Sequence, residues 1–359
     1  LIIGGGIIGM LTARQLARDG ASVTLFDKGD TARESSWAGG GILSPLYPWR
    51  WDDAVTALSQ YSQRLYPQLC ETLREHSGTD PEYLRSGLLI LLDDEVDTAL
   101  NWAQRWQASV ELIDQTGARE LEPQLHPDFD HALWMPDIGQ VRNPRLCRAL
   151  RTELEALGVS IHTHEAVLEI LHENGRATGV RTGAGRYSGD SLVVCAGAWS
   201  RELLGSDEDV PEIAPVRGQM LLFHAEAGLI RHINLSRDRY AIPRSDGRIL
   251  FGSTLELSGF DKDTTSEARE ELYNRATELF PALQRYPIEH HWAGLRPGSP
   301  KGIPYIGRHP RLHNLYINAG HYRNGVVLGP ASAVLLQQLM VGETTFTDPA
   351  PYDLSAVRA

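Results

Sequence analysis

A chain of 359 residues, 42% hydrophobic and 22% charged, has globular composition and enough apolar material for a buried core, and its length exceeds one typical domain, so two are expected. A formal net charge of −12, with no local basic patch, repels phosphate backbones and argues against nucleic acid as a partner. No run approaches the ~20 apolar residues of a transmembrane segment, and no secretory leader is legible because Leu1-Ile2-Ile3 passes straight into glycines.

The chain opens on Leu1, inside an expected strand, so a few residues are expected to precede it. The first unit reads as strand, glycine turn, helix and strand, a βαβ opening. Gly4, Gly6 and Gly9 fit the spacing GxGxxG, with Ile7 and Ile8 between the last two. Gly4 permits a tight turn, Gly6 lets a pyrophosphate approach the backbone, and Gly9 lets the helix pack on the sheet. The helix N-terminus offers unpaired N–H groups to phosphate. Val23-Thr24-Leu25-Phe26 forms the second strand and ends at Asp27, whose carboxylate suits a ribose. This context does not choose between NAD and FAD.

The next loop does. Ser35-Ser36-Trp37-Ala38-Gly39-Gly40-Gly41 is small and glycine-rich. A long, tightly held isoalloxazine needs such close backbone contact, whereas a hydride-exchanging NAD enzyme does not. Ser35 and Ser36 suit phosphate or ribitol oxygens. Gly40 and Gly41 leave room for a ring. Residues 44–52 carry Tyr47, Trp49 and Trp51 between prolines. They read equally as a lid over a small pocket or as packing at a domain interface.

Residues 53–76 read as a helix with Leu58, Tyr61, Leu65, Leu69 and Leu73 on one face and a kink at Pro67. A second marked helix is expected to be capped by Asn143, to carry Pro144 at its first position and to end at Gly158. Strands follow at 159–163, 166–171, 177–182 and 191–195, with Asn174-Gly175 as a hairpin turn. Cys195 ends an apolar run and reads as a buried thiol. With Cys70 and Cys147 it makes three widely spaced cysteines, without CxxC or metal-ligand spacing, which fits a reduced cytoplasm and no metal. The stretch 211–291 alternates like an antiparallel sheet, with a helix near 266–279. A last helix is expected from about Pro330 to Val341, stopped by Gly342. The fold class is therefore α/β: a Rossmann-like domain assembled from 1–82, 139–210 and 292–359, plus an α+β substrate domain from 83–138 and 211–291.

Four segments, IIGGGIIG at 2–9, VVCAGAWS at 193–200, WAGLRPGSPKGIPYIG at 292–307 and AGHYRNGVVLGP at 319–330, occur in an order and spacing by which the chain resembles the glycine oxidase and D-amino-acid oxidase family of flavoproteins. The resemblance covers essentially the whole chain and is greatest to the branch serving thiamine biosynthesis. It implies that Asp27 and Lys28 border the adenosine and that Val167 holds adenine through its backbone. Gly40, Gly41 and Ile42 would lie along the flavin. Ala196, Gly197 and Trp199 would join the cofactor site. His321, Tyr322, Arg323, Asn324, Gly325, Val326 and Val327 would wrap the pyrimidine side, where N–H groups leading into a helix stabilise negative charge on a reduced ring. Asp27 stands where many members have Glu. No cysteine follows Cys195, so FAD is expected to be non-covalent.

At the substrate end, Arg296 lies in the apolar, constrained segment 294–298 and is the leading partner for an amino-acid carboxylate, which a guanidinium fork binds with two parallel bonds. The resemblance makes the same assignment and adds proximity to the cofactor. Tyr240 offers a phenolic donor, Arg323 a second cation or a structural loop arginine, and Ile42 a wall. His321 reads better as loop packing than as an acid or base. No dedicated acid or base is needed. A neutral amine gives its α-hydrogen as hydride to flavin N5, leaving an imine that water converts to an oxo acid and ammonia. Molecular oxygen takes the electrons as hydrogen peroxide, and for glycine the imine also suits capture into a thiazole. The expected substrates are glycine, sarcosine, D-proline and small D-amino acids. A D-amino-acid or D-proline oxidase, a quinone-linked dehydrogenase, and in another class a nucleic-acid-modifying flavoprotein are the rivals. A homo-oligomer is left open.

Overall fold

The computed structural model describes residues 1–91, 94–126, 129–205 and 210–358. A six-stranded sheet runs in the order Tyr305–Arg308, Leu315–Ala319, Leu192–Val194, Ile2–Ile3, Thr24–Phe26, Ser160–His162. Its neighbours are parallel except at the edge strand Tyr305–Arg308. Such a sheet is covered on both faces, which is why its central strands Leu192–Val194 and Ile2–Ile3 are wholly apolar. Helices Ile7–Arg18, Asp53–Ser77, Asn143–Ala156 and Gly325–Val341 pack together in the main core. Phe26, Val180, Leu192 and Ile317 are buried in a separate cluster with residues of the meander Val167–Glu173, Arg176–Thr182 and Arg186–Ser188. Its first turn is the expected Asn174-Gly175, both at positive φ.

The helix Asp53–Ser77 starts where Asp52 accepts from Ala54 N at 2.9 Å and stops at Gly78, φ 67°. Two other expectations need correction. Asn143 does not cap the next helix. It is the first helical residue, and its amide donates to the carbonyls of Ser36 and Gly39, both at 3.0 Å. The last helix begins at Gly325 rather than Pro330. Pro330 has no N–H for the Val326 carbonyl four residues back, and the Tyr66 hydroxyl donates to that carbonyl at 2.5 Å instead. Ser62 Oγ accepts from the next N–H, that of Ala331, at 2.9 Å. A neighbouring helix thus lets a proline sit inside this one.

An eight-stranded sheet follows the order Ile288–Gly298, Ala214–His224, Arg248–Gly252, Arg239–Pro243, Ile233–Ser236, Leu88–Leu91, His131–Met135, Glu111–Asp114. It is antiparallel apart from the pair Ile233–Ser236 and Leu88–Leu91. Thr265 caps the helix Ser266–Leu279, accepting from Ala268 N at 3.3 Å. The long strand Ile288–Gly298 runs straight across residue 292 and carries Arg296 in this sheet.

Candidate active site

A cavity of about 470 Å³ opens where the strands Ile2–Ile3, Thr24–Phe26, Leu192–Val194 and Leu315–Ala319 end, with Gly4, Asp27, Ala196 and Gly320 on its wall. Ligands of open α/β sheets settle at such carboxyl ends. Strands of the second sheet close the opposite side with Gly218, Met220, Tyr240 and Arg296.

Gly4 has φ 110°, and a Cβ there would lie 2.4 Å from the Cys195 carbonyl oxygen. A Cβ on Gly9 would lie 1.9 Å from the Gly4 oxygen, so Gly9 serves helix packing and is the one expected cofactor residue off the cavity wall. Around the helix start, Ile7 N donates to Ser36 Oγ at 2.9 Å and Gly5 N to the Asp27 carboxylate at 2.7 Å. Ser36 therefore braces the glycine turn before it meets any ligand. The N–H groups of Gly6, Ile8 and Gly9 have no protein acceptor among the described residues. Open donors at a helix N-terminus, with Gly6 and Ile8 on the cavity wall, fit a pyrophosphate.

Burial raises the Asp27 pKa, opposed by bonds from Gly29 N at 2.9 Å and from Gly5 N. Both carboxylate oxygens accept from backbone and keep a lone pair each for a hydroxyl donor. Lys28 Nζ sits 3.1 Å from the Trp199 ring centroid and 3.9 Å from Glu34. Ala196, Gly197 and Val167 stand on the same stretch of wall.

The glycine loop is held by its carbonyls. Asn143 takes those of Ser36 and Gly39, and Trp292 Nε1 donates to Ala38 O at 3.1 Å. Arg244 Nη2 donates to Gly40 O at 2.7 Å, and Val141 N donates to Gly41 O at 2.9 Å. Gly41 has φ 80°, and a Cβ on Gly40 would lie 2.5 Å from Ile242 Cδ1. Ser35, Gly40, Gly41 and Ile42 face the cavity along this fixed backbone.

Across from it, His321 to Val327 line the cavity and lead into the helix Gly325–Val341. Burial pushes the His321 pKa down to about 3, so the ring is neutral. Its Nε2 meets Ser332 Oγ at 2.9 Å, while that hydroxyl donates to Leu328 O at 2.8 Å. Nε2 is then the donor, and His321 is a fixed structural ring.

Arg296 Nη1 donates to the carbonyls of Arg217 and Thr254 at 3.3 and 3.2 Å, and Nη2 to Ser253 Oγ at 2.6 Å. Three of five N–H bonds are thus used. Those left, on Nε and Nη2, lie on neighbouring nitrogens, as a bidentate carboxylate requires. Desolvation lowers the Arg296 pKa, the nearby Tyr240 phenol supports the charge, and Arg323 opposes it. Neither arginine has a carboxylate partner among the described residues. Tyr240 Oη lies 3.8 Å from Met220 Sδ. A Cβ on Gly218 would lie 2.0 Å from Arg296 Nη2, so only glycine leaves the guanidinium its place.

In the 44–52 segment, packing prevails. Tyr47 and Trp49 are buried and meet edge to face, and Trp49 Nε1 donates to Glu95 at 2.7 Å. Trp51 Nε1 donates to Leu46 O at 2.8 Å. Ser44 and Leu46 reach the cavity. Cys70, Cys147 and Cys195 are free and buried, their thiols pushed up to about 12.

Local spacing carried no signal for Asn143, Arg244 or Trp292 as site-builders. Gly218 alone had a cue, since glycine inside an alternating strand marks close approach.

The pattern of the FAD dependent oxidoreductase (DAO) family matches residues 1–339. A glycine oxidase of Pseudomonas putida is 49% identical over 98% of this chain and 97% of its own length. The bifunctional protein ThiO/ThiG of Synechocystis is 34% identical over 96% of this chain and 51% of its own length. The crystal structure of a glycine oxidase from Geobacillus kaustophilus superposes with TM-score 0.92 at 28% identity, covering 100% of this chain and 98% of that one.

Proposed function

Because this chain belongs to the family of FAD-dependent oxidoreductases, we propose that it oxidatively deaminates glycine and other small amines, including sarcosine, D-proline and small D-amino acids. The observation that carries the reading is Arg296, a guanidinium on the cavity wall with two N–H bonds not taken by the second sheet's Arg217, Thr254 and Ser253, the Tyr240 phenol nearby and no protein carboxylate beside it. When bound, FAD would supply a two-electron acceptor for hydride from the substrate α-carbon, with molecular oxygen as the final oxidant, reduced to hydrogen peroxide. Glycine, water and oxygen then give glyoxylate, ammonia and peroxide.

The chain's own part is binding and orientation. Arg296 takes the carboxylate in bidentate fashion, and Tyr240 adds a phenolic donor. Ile42 and Met220 limit the space left for a side chain. Arg323 adds positive potential. No residue works as acid or base, in keeping with the neutral His321. Gly6 and Ile8 hold the pyrophosphate, with Gly4, Ile7 and Gly9 shaping the turn and helix start and Ser35 and Ser36 supplying hydroxyls. Asp27, Lys28, Val167, Ala196, Gly197 and Trp199 hold the adenosine. Gly40, Gly41 and Ile42 follow the ring, and His321, Tyr322, Asn324, Gly325, Val326 and Val327 border its pyrimidine edge. FAD is held non-covalently. The two domains divide as 1–82, 139–210 and 299–359 against 83–138 and 211–298, a correction of the expected boundary at 292, because the strand Ile288–Gly298 pairs along its length with Ala214–His224 in the second sheet.

Likeness to ThiO/ThiG supports a role in feeding glycine imine to thiazole synthesis in the cytoplasm. No helix among the described residues is long and apolar enough to cross a membrane. The test is peroxide formation with glycine, sarcosine, D-proline and D-alanine, run beside reduction of an artificial acceptor. Peroxide with glycine supports the reading. Acceptor reduction without peroxide replaces the oxidase with a dehydrogenase, and neither signal with any of the four refutes amine oxidation.

A further inference from the structure

Arg244 follows the strand Arg239–Pro243 and is 5% exposed. A buried guanidinium is costly unless its hydrogen bonds are needed. Its acceptors are all neutral: Gln140 Oε1 at 2.7 Å, Val141 O at 2.9 Å and Gly40 O at 2.7 Å. Arg142, Glu82 and Asp246 are the charges that face it, and none is within bonding distance. Desolvation lowers its pKa to about 10, so it is still a cation at neutral pH.

The bond to Gly40 O fixes more than one atom. In a trans peptide the C=O and the following N–H point in opposite directions. Gly40 O points at Arg244, which is off the cavity wall, while Gly40 and Gly41 are on it. The Gly41 N–H therefore turns the other way, and among the described residues it has no acceptor. A cation on the carbonyl also polarises the peptide and strengthens its N–H as a donor.

We propose that Arg244 is a positioning residue that holds the Gly40–Gly41 peptide with its N–H turned into the cavity, where it donates to an acceptor atom on the flavin ring and favours the reduced, electron-rich form. This rests on the reading of the cavity as the FAD site. It separates the roles of two buried arginines on one sheet. Arg296 addresses the substrate, and Arg244 addresses the cofactor through one peptide.

The test compares wild type with Arg244→Met and Arg244→Gln, each as FAD-loaded protein, by midpoint potential against reference dyes and by the visible flavin spectrum. Arg244→Met is expected to weaken the preference for reduced flavin about tenfold, close to 30 mV for a two-electron couple. The absorption band should shift, and the KM for glycine should change less than kcat. Arg244→Gln keeps a donor near Gly40 O but removes the charge. It should also lower the potential, and it carries the test if the Met variant does not fold. A folded, FAD-loaded variant with wild-type potential and spectrum overturns the inference. Peroxide yield of the wild type with glycine reports on the functional reading alone, and the variants' potential relative to wild type reports on Arg244 alone. A wild type that takes up no FAD overturns both.

Discussion

Arg296→Ala is the perturbation whose size follows most directly from the geometry. Arg217 O, Thr254 O and Ser253 Oγ already take three of its N–H bonds. They aim the guanidinium, and under the proposed function the two that remain meet the substrate. Each hydrogen bond to a charged group contributes roughly 1.5–3 kcal/mol. The pair is then worth about 3–6 kcal/mol, or about 10²- to 10⁴-fold in kcat/KM. Arg296→Lys keeps the charge without the fork and should fall between Ala and wild type. FAD content should be unchanged, because the lost bonds run to the substrate and to the second sheet. The assay is steady-state kcat/KM for glycine and D-proline, with the flavin spectrum recorded on adding a small carboxylate inhibitor. Near-normal kcat/KM in Arg296→Ala, with the inhibitor's spectral shift retained, would refute the assignment and make Arg323 the carboxylate's partner.

Gly218→Ala places a methyl group 2.0 Å from Arg296 Nη2. It should displace the guanidinium and lower kcat/KM by roughly one bond's worth, about 10- to 100-fold, with normal FAD content; unchanged kinetics would show that the strand yields instead. Tyr66→Phe leaves the Val326 carbonyl opposite Pro330 without its donor and should cost about 1–3 kcal/mol in urea unfolding; an unchanged midpoint would mean water replaces the hydroxyl. Asp246 tests the contact between the two sheets' neighbourhoods. Burial opposes its ionisation, but hydrogen bonds from Arg142 and Arg248 bring its pKa down to about 2. Its contribution, about 1 kcal/mol after screening, is present above the unfolded value near 4 and lost as pH falls through about 2. Asp246→Asn should therefore be less stable at pH 7 and lose less stability between pH 4 and 2, and a parallel acid limb would contradict the pairing.

What the sequence made legible was local. The GxGxxG turn, the strand end at Asp27 and the Asn174-Gly175 hairpin each follow from residues within a few positions of one another. The second sheet's alternation was equally plain. What stayed hidden depended on contacts across the fold. Pro330 reads as a helix start until Tyr66, 264 positions away in sequence by subtraction, accepts its place by bonding Val326 O. Asn143 reads as a cap, yet its amide holds the glycine loop more than a hundred positions earlier in the chain. Gly218 sits in a strand whose register brings it beside Arg296, and Arg244, just past the strand Arg239–Pro243, meets Gly40 only through the fold. The aromatic run at 44–52 was ambiguous because Trp49's partner, Glu95, belongs to a distant helix start.

The central claim is that small amino acids reduce the flavin in this cavity and oxygen reoxidises it. Glycine added without oxygen to the FAD-loaded protein tests it most directly. The account predicts that the flavin's visible absorbance bleaches, and that admitting air restores it with about one hydrogen peroxide per glycine oxidised, by the two-electron balance of the reaction. Flavin that stays oxidised with glycine, sarcosine, D-proline and D-alanine alike would contradict it.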